Sequence, residues 1–158
     1  GMSQLALTDH GVLYGAIPFY KACKAHGIKP IIGCEIYLTT GSMEDKVSRK
    51  ESPTYHLILL AKHEQGYRNL LRLVSKAHLQ GFYYKPRVDL HTLEQHADGL
   101  VALSACLGGE IAQHHRLAGI GEDRQQPSAD LNRLDAAPAD ARARVRLVVA
   151  IQPYGLRG

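Results

Sequence analysis

The sequence predicts an α/β fold, on three observations. Strand-like apolar runs alternate with segments of helical periodicity from Leu5 to about Gln113. One of those runs, Leu57-Ile58-Leu59-Leu60-Ala61, is short and continuous, the pattern of a parallel strand covered on both faces. The first run, Leu5-Ala6-Leu7-Thr8, passes directly into Asp9-His10-Gly11. A strand ending in an acid and an imidazole delivers two polar groups to one rim of a sheet. In α/β folds the rim at the C-terminal ends of parallel strands carries the chemistry. Asp9 has a second reading, as a cap on the next helix.

The chain has 158 residues, enough for one domain with a core, and its 45% hydrophobic content sets it apart from disordered sequences. A formal charge of +4 is compatible with a nucleic-acid partner but too small to argue for one. No run is long enough to span a membrane and the N-terminus lacks a signal pattern, so a cytoplasmic location is expected. The three cysteines, Cys23, Cys34 and Cys106, are odd in number and lack paired metal spacing, which argues against a disulfide framework. From His114 onward the composition shifts to Ala, Arg, Asp, Gly and Pro. A boundary is therefore expected near residue 113, between a domain at 1–113 and a divergent, unassigned tail at 114–158.

The elements follow in order. Leu13–His26 is expected as a helix, with Ile17, Tyr20 and the Lys24 stem on one face, Pro18 in its first turn and Gly27 at its end. Ile28–Leu38 is the second strand region. Within it, Glu35 stands between apolar residues and needs a partner, a proton or a cation. Cys34, its neighbour, points to the other face and belongs to the core. Thr39–Thr54 is a polar loop. Tyr55–Ala61 is the third strand, beginning Tyr55-His56. Glu64–Leu79 is the clearest helix, with Leu70, Leu71, Val74 and Ala77 as its apolar stripe and Gly81 after it. Phe82–Arg87 reads as an aromatic and basic loop, either packing aromatics with solvated charges or contacting phosphate or nucleic acid through Lys85 and Arg87. Val88–His96 is a short helix that Asp89 can cap. Leu100–Cys106 is a fourth buried strand, and Leu147–Ile151 is a further strand candidate in the tail.

His10, Glu35, His56 and Cys106 fall one on each of four successive strand regions. Nitrogen, oxygen and sulfur donors of this kind suit zinc, or manganese and iron where imidazoles and carboxylates dominate. Each has a structural alternative: His56 as a core histidine, Glu35 paired with Lys29 or another base, Cys106 as packing.

The runs Leu5–Gly11, Tyr14-Gly15-Ala16, Gly27–Glu35, His56–Ala61, Gly66–Leu70, Gly81–Arg87 and Leu103–Glu110 together resemble the polymerase-and-histidinol-phosphatase (PHP) domain at the N-terminus of bacterial DNA polymerase III alpha subunits. The resemblance covers residues 1–113. It implies a distorted (β/α)7 barrel whose metal ions, zinc or manganese, sit at the C-terminal rim. On the matching positions, His10, Glu35, His56 and Cys106 would be metal ligands, and Asp9 would orient a ligand. The family's His-x-His strand would precede Gly1 and its later Asp-x-His is not found. The resemblance therefore implies an incomplete PHP barrel with an open sheet edge and exposed apolar surface.

The function implied is that of a piece of a replicative DNA polymerase, with a metal-dependent phosphoesterase or 3′–5′ exonuclease site in this domain. Magnesium-dependent nucleotidyl transfer would lie elsewhere in the parent, so this segment alone would not polymerise. The partners implied are DNA, through the parent, and the proofreading and clamp subunits of a replicase, with no membrane. Two alternatives stand beside this: a standalone phosphoesterase of the same superfamily, and a non-catalytic scaffold that binds a proofreading subunit.

Overall fold

The computed structural model describes residues 2–48, 51–104 and 146–148. They form a mixed α/β layer in which one seven-stranded sheet carries helices. The boundary expected near residue 113, like Cys106, lies outside the described residues.

The organising strand is β2 (Lys29–Thr39). One edge pairs antiparallel with β3 (Thr54–Ala61) from Gly33↔Leu60 to Thr39↔Thr54. Its other edge is shared. The first half pairs parallel with β1 (Gln4–His10), ending at His10↔Glu35. The second half pairs parallel with β5 (Lys85–Asp89), which closes a small hairpin with β4 (Phe82–Tyr83). Beyond β3 the sheet continues through β6 (Leu100–Ser104), antiparallel, to β7 (Arg146–Val148), parallel to β6. Arg146–Val148 thus includes the start of the apolar run anticipated as a strand in the tail.

The third strand is antiparallel to both its neighbours, which corrects the parallel reading of its continuous apolar run. Such a run reports burial, not direction. Direction follows from the connection. Among the described residues between 40 and 53 there is no helix, and parallel neighbours are usually joined through a crossover helix.

Helix α1 spans Ala16–Ala25, shorter than Leu13–His26, with Pro18 in its first turn. Its end is a Schellman arrangement. The Ile28 N–H donates to the Cys23 carbonyl, the Gly27 N–H donates to that of Lys24, and Gly27 adopts φ +67°. Ala16 and Cys23 face inward, whereas Ile17 and Tyr20, expected to share an apolar face, are exposed. Among the described residues β1 pairs along one edge only, and Leu5 is exposed.

Helix α2 runs Glu64–Leu79 as the periodicity predicts. Its buried stripe is Gly66, Asn69, Leu70, Leu73 and Ala77, so Leu73 takes the inward position assigned to Leu71, which is exposed. Gly66 lets the start of α2 meet the 97–99 turn: a Cβ there would stand 1.9 Å from the Gly99 carbonyl oxygen. Helix α3 (Leu90–Gln95) is capped by Asp89, whose Oδ1 accepts from the Thr92 N–H at 2.8 Å.

Alternation along the strands sorts the two faces. Cys34, Ile36 and Leu38 of β2 join Leu59, Leu70, Leu73, Ala77, Val88, Leu93, Leu100 and Ala102 in one core cluster. Glu35 and Tyr37 lie on the opposite face of the sheet.

Candidate functional site

The site is assembled around the carboxylate of Glu35. His10 is the register partner of Glu35 across the parallel pair, so both side chains leave the same face. His56 is the register partner of Tyr37 across the antiparallel pair, two residues along from Glu35 on that face. Three strands therefore bring three donors together. Glu35 Oε1 lies 2.6 Å from His56 Nδ1 and 3.4 Å from His10 Nδ1. The imidazoles stand edge to face, with ring centres 6.3 Å apart.

Burial is graded across the cluster. Glu35 is 12% exposed, His56 34% and His10 64%. The carboxylate sits at the floor, where the imidazoles offset much of its desolvation, and His10 stands at the mouth. The alternative pairing of Glu35 with Lys29 is excluded by register, since Lys29 sits opposite Gln4 at the far end of β1.

Two nitrogens and a carboxylate oxygen are donors that fit a borderline divalent ion such as zinc or manganese. As placed, they form a row with the Glu35 oxygen between the rings, within ion-pair distance of both. Among the described residues no group of three or more His, Cys, Asp or Glu side chains is arranged to enclose a metal ion. The fourth expected donor, Cys106, lies outside the described residues.

Asp9 takes a different place from the one the resemblance implies. It is in register with Cys34, on the face opposite His10. Its Oδ2 accepts from the Gly15 N–H at 2.8 Å. Asp9 thus braces the turn from β1 into α1 and reaches His10 through the backbone. The period-two alternation of a strand forces this separation of neighbours.

Cys34 is fully buried, as its core assignment requires. Burial, reinforced by the charges of Asp9 and Glu35 and opposed by backbone hydrogen bonds, pushes its thiol up to about 12. It stays neutral and unreactive.

Lys85 and Arg87, read together in the sequence, part company in the structure. They lie on β5 rather than in a loop. Arg87 is 2% exposed. Its guanidinium donates to the carbonyls of Gly81, Met43 and Asp45 at 3.1, 2.8 and 2.7 Å. A buried cation engaged by three backbone carbonyls is a structural clamp on residues 43–45 and 81, not a phosphate contact. Lys85 is exposed, with its Nζ 3.4 Å from the Tyr37 hydroxyl and 4.9 Å from the centre of that ring.

Two residues of this neighbourhood were not singled out from the sequence. Tyr37 packs its ring against that of His56, with centres 5.1 Å apart. Its place two residues after Glu35 on one strand is the signal that puts both on one face. His78, in the last turn of α2, lies 2.8 Å through Nε2 from the carbonyl oxygen of Gly11, the residue after His10. Gly11 is itself fixed at φ +69° and donates its N–H to the Glu35 carbonyl at 2.8 Å. No local pattern announces the His78 contact, since 67 residues separate the two.

Comparison with known proteins adds an independent line. The family model of the PHP domain matches residues 1–147. The DNA polymerase III subunit alpha of Chlamydia muridarum (strain MoPn / Nigg) is 59% identical over 110 residues, covering 69% of this chain and 9% of that protein. The subunit of the same name from Treponema pallidum (strain Nichols) is 54% identical over 112 residues, 70% of this chain and 10% of its own length. That of Thermus aquaticus is 54% identical over 111 residues, 69% of this chain and 9% of its own. The chain spans about a tenth of the length of these curated relatives.

Proposed function

The chain belongs to the PHP domain family, and from that premise we propose that it is part of the PHP domain of a bacterial replicative DNA polymerase alpha subunit, carrying a metal-dependent phosphoesterase site of the 3′–5′ exonuclease kind. The observation that carries this is the convergence of His10, Glu35 and His56 on one face of the sheet, in a chain of this family. In this reading residues 1–113 form a partial (β/α)7 barrel. DNA synthesis and magnesium-dependent nucleotidyl transfer belong to the rest of the parent, which works in the cytoplasm on DNA with proofreading and clamp subunits.

His10, Glu35 and His56, together with Cys106, would hold zinc or manganese. When bound, such an ion activates a water molecule and neutralises charge on a phosphate oxygen. The chain's own residues have distinct tasks. Glu35 anchors both imidazoles from below. Tyr37 holds the His56 ring by edge contact, and Asp9 and His78 fix the backbone on either side of His10. Lys85 presents a cation beside Tyr37, where it attracts the anionic backbone of a substrate.

Elemental analysis of the purified chain, combined with hydrolysis of a 3′-labelled single strand in the presence of manganese or zinc, tests this. Stoichiometric metal and hydrolysis, both lost in Glu35→Gln, are expected. Metal content and hydrolysis that do not depend on Glu35, His10 or His56 would remove them from the site.

A further inference from the structure

The β4–β5 hairpin holds a strained residue that neither the core nor the candidate site explains. Tyr84, between the two strands, has φ +58°, the only positive φ among the described non-glycine residues. A bulky side chain is disfavoured in this left-handed region. Burial does not compensate, because the Tyr84 side chain lies in the open, 78% exposed. Strain kept without burial directs attention to what the conformation presents.

It presents an aromatic surface on a rigid base. The Tyr84 ring stands at 66° against Tyr83, with centres 4.6 Å apart. Tyr83 in turn lies over the guanidinium of Arg87 at 5.3 Å, and Arg87 is clamped by its three carbonyls. Phe82, also exposed, has its ring 6.1 Å from that of His78. The surroundings are basic: Lys85 follows Tyr84, and Lys76 and His78 occupy the last turn of α2, just before the hairpin.

The hairpin also abuts the site. Lys85 lies over Tyr37, and Tyr37 packs on His56. On the other side, a Cβ at Gly11 would stand 2.8 Å from Pro86 Cγ, so the hairpin rests on the residue after His10. The exposed aromatics and adjoining cations are thus linked to the carboxylate–imidazole cluster through Lys85 and Tyr37.

We propose that the β4–β5 hairpin is a stacking platform for unpaired bases of a single-stranded nucleic acid, with Tyr84 and Phe82 as the stacking rings and Lys85 on the backbone phosphate leading to the His10–Glu35–His56 cluster. This rests on the phosphoesterase reading of that cluster, and it names the residues outside the cluster that would seat the strand. Bases offer their faces to side chains only where they are unpaired, and such stacking tolerates any sequence. The charge of Lys85 and Lys76 complements a phosphate backbone, whereas it offers nothing to an apolar protein partner.

The test is fluorescence anisotropy of a short labelled oligothymidine with the whole 158-residue chain. The informative variant is Tyr84→Gly, because glycine accepts the left-handed backbone and the fold is kept while the ring is removed. Affinity should fall about 5- to 100-fold in Tyr84→Gly, fall in Phe82→Ala, and persist in Tyr84→Phe. A duplex of the same length should bind more weakly and respond less to Tyr84→Gly. Wild-type affinity in Tyr84→Gly and Phe82→Ala, or no binding by the wild type, would overturn the proposal and leave the rings to be covered by a protein surface. Hydrolysis of the same oligonucleotide separates the two readings. Tyr84-dependent binding without hydrolysis keeps the platform and removes the phosphoesterase. Hydrolysis whose KM ignores Tyr84→Gly does the reverse.

Discussion

Two polar clusters sit a few residues apart on neighbouring strands and are held in opposite ways. Around Glu35 on β2, the partners are side chains, two imidazoles that can turn or exchange the carboxylate for another ligand. Around Arg87 and Asp89 on β5, the partners are mostly main-chain groups. Arg87 donates to three carbonyls, and Asp89 accepts from the N–H groups of Thr92 and Met43. Main-chain partners come with the fold and have no alternative conformation. The first cluster is therefore available to a ligand and the second is committed to architecture, although both are rich in charge.

That contrast is open to experiment, beginning where the effect is largest. Arg87→Ala should destabilise the protein by about 2–4 kcal/mol, because three carbonyls lose a charged donor within a buried pocket; urea denaturation measures it. A loss below that range would mean that water replaces the guanidinium and the clamp is dispensable.

Asp89→Ala should cost about 1–2 kcal/mol by removing the α3 cap and the hold on Met43. Burial opposes ionisation of Asp89, but the hydrogen bonds from Thr92 and Met43 outweigh it and keep its carboxyl below the usual range. A depressed folded value means that its contribution is complete above the ordinary carboxylate range near pH 4 and is lost as pH falls through the lower folded value. The stability gap between wild type and Asp89→Ala should therefore narrow on acidification below about pH 4. A gap that stayed constant with pH would detach the carboxyl from this role.

Glu35→Gln belongs to the other side of the comparison. Its stability change should be about 1 kcal/mol or less, and in the proposed reading of the cluster the metal content should fall. A large loss of stability with metal retained would move Glu35 into the architectural class.

The smallest effect is expected at Cys34. With its thiol pushed up to about 12, the native protein should resist thiol-specific reagents at pH 8 at this position. Mass spectrometry after trypsin digestion reads the label. Because the folded value lies above the unfolded one, any stability linked to this thiol is full below about pH 9 and declines as pH rises towards 12. Rapid labelling of Cys34 in the native state would show that the core beneath the site opens.

Much of the local structure could be read in the chain itself. The bounds of α2, the end of α1 at Gly27 and the cap at Asp89 depend on contacts within a turn or two. The opposition of Cys34 and Glu35 follows from strand alternation alone. The candidate cluster was legible in residue type, since a carboxylate among apolar neighbours demands a partner, and His10 and His56 proved to be those partners. Lys85 and Arg87 were indistinguishable in sequence, two cations on a short aromatic stretch. Their fates diverged because β5 pairs with β2 beside residues 43–45, which give Arg87 two of its three carbonyls, Gly81 giving the third, and leave Lys85 outside.

By itself, then, the sequence determined the class of fold, the bounds of α2 and the chemistry of the donors, all of which rest on periodicity and side-chain type over short spans. Tertiary structure decided the antiparallel course of β3, the inward turn of Leu73, the separation of Asp9 from His10, and the contacts of Tyr37 and His78 with the site. Those features depend on which strand pairs with which and in what direction. Pairing joins residues far apart in the chain through main-chain hydrogen bonds that are the same for every side chain, so an apolar run specifies that it will be buried but not beside what.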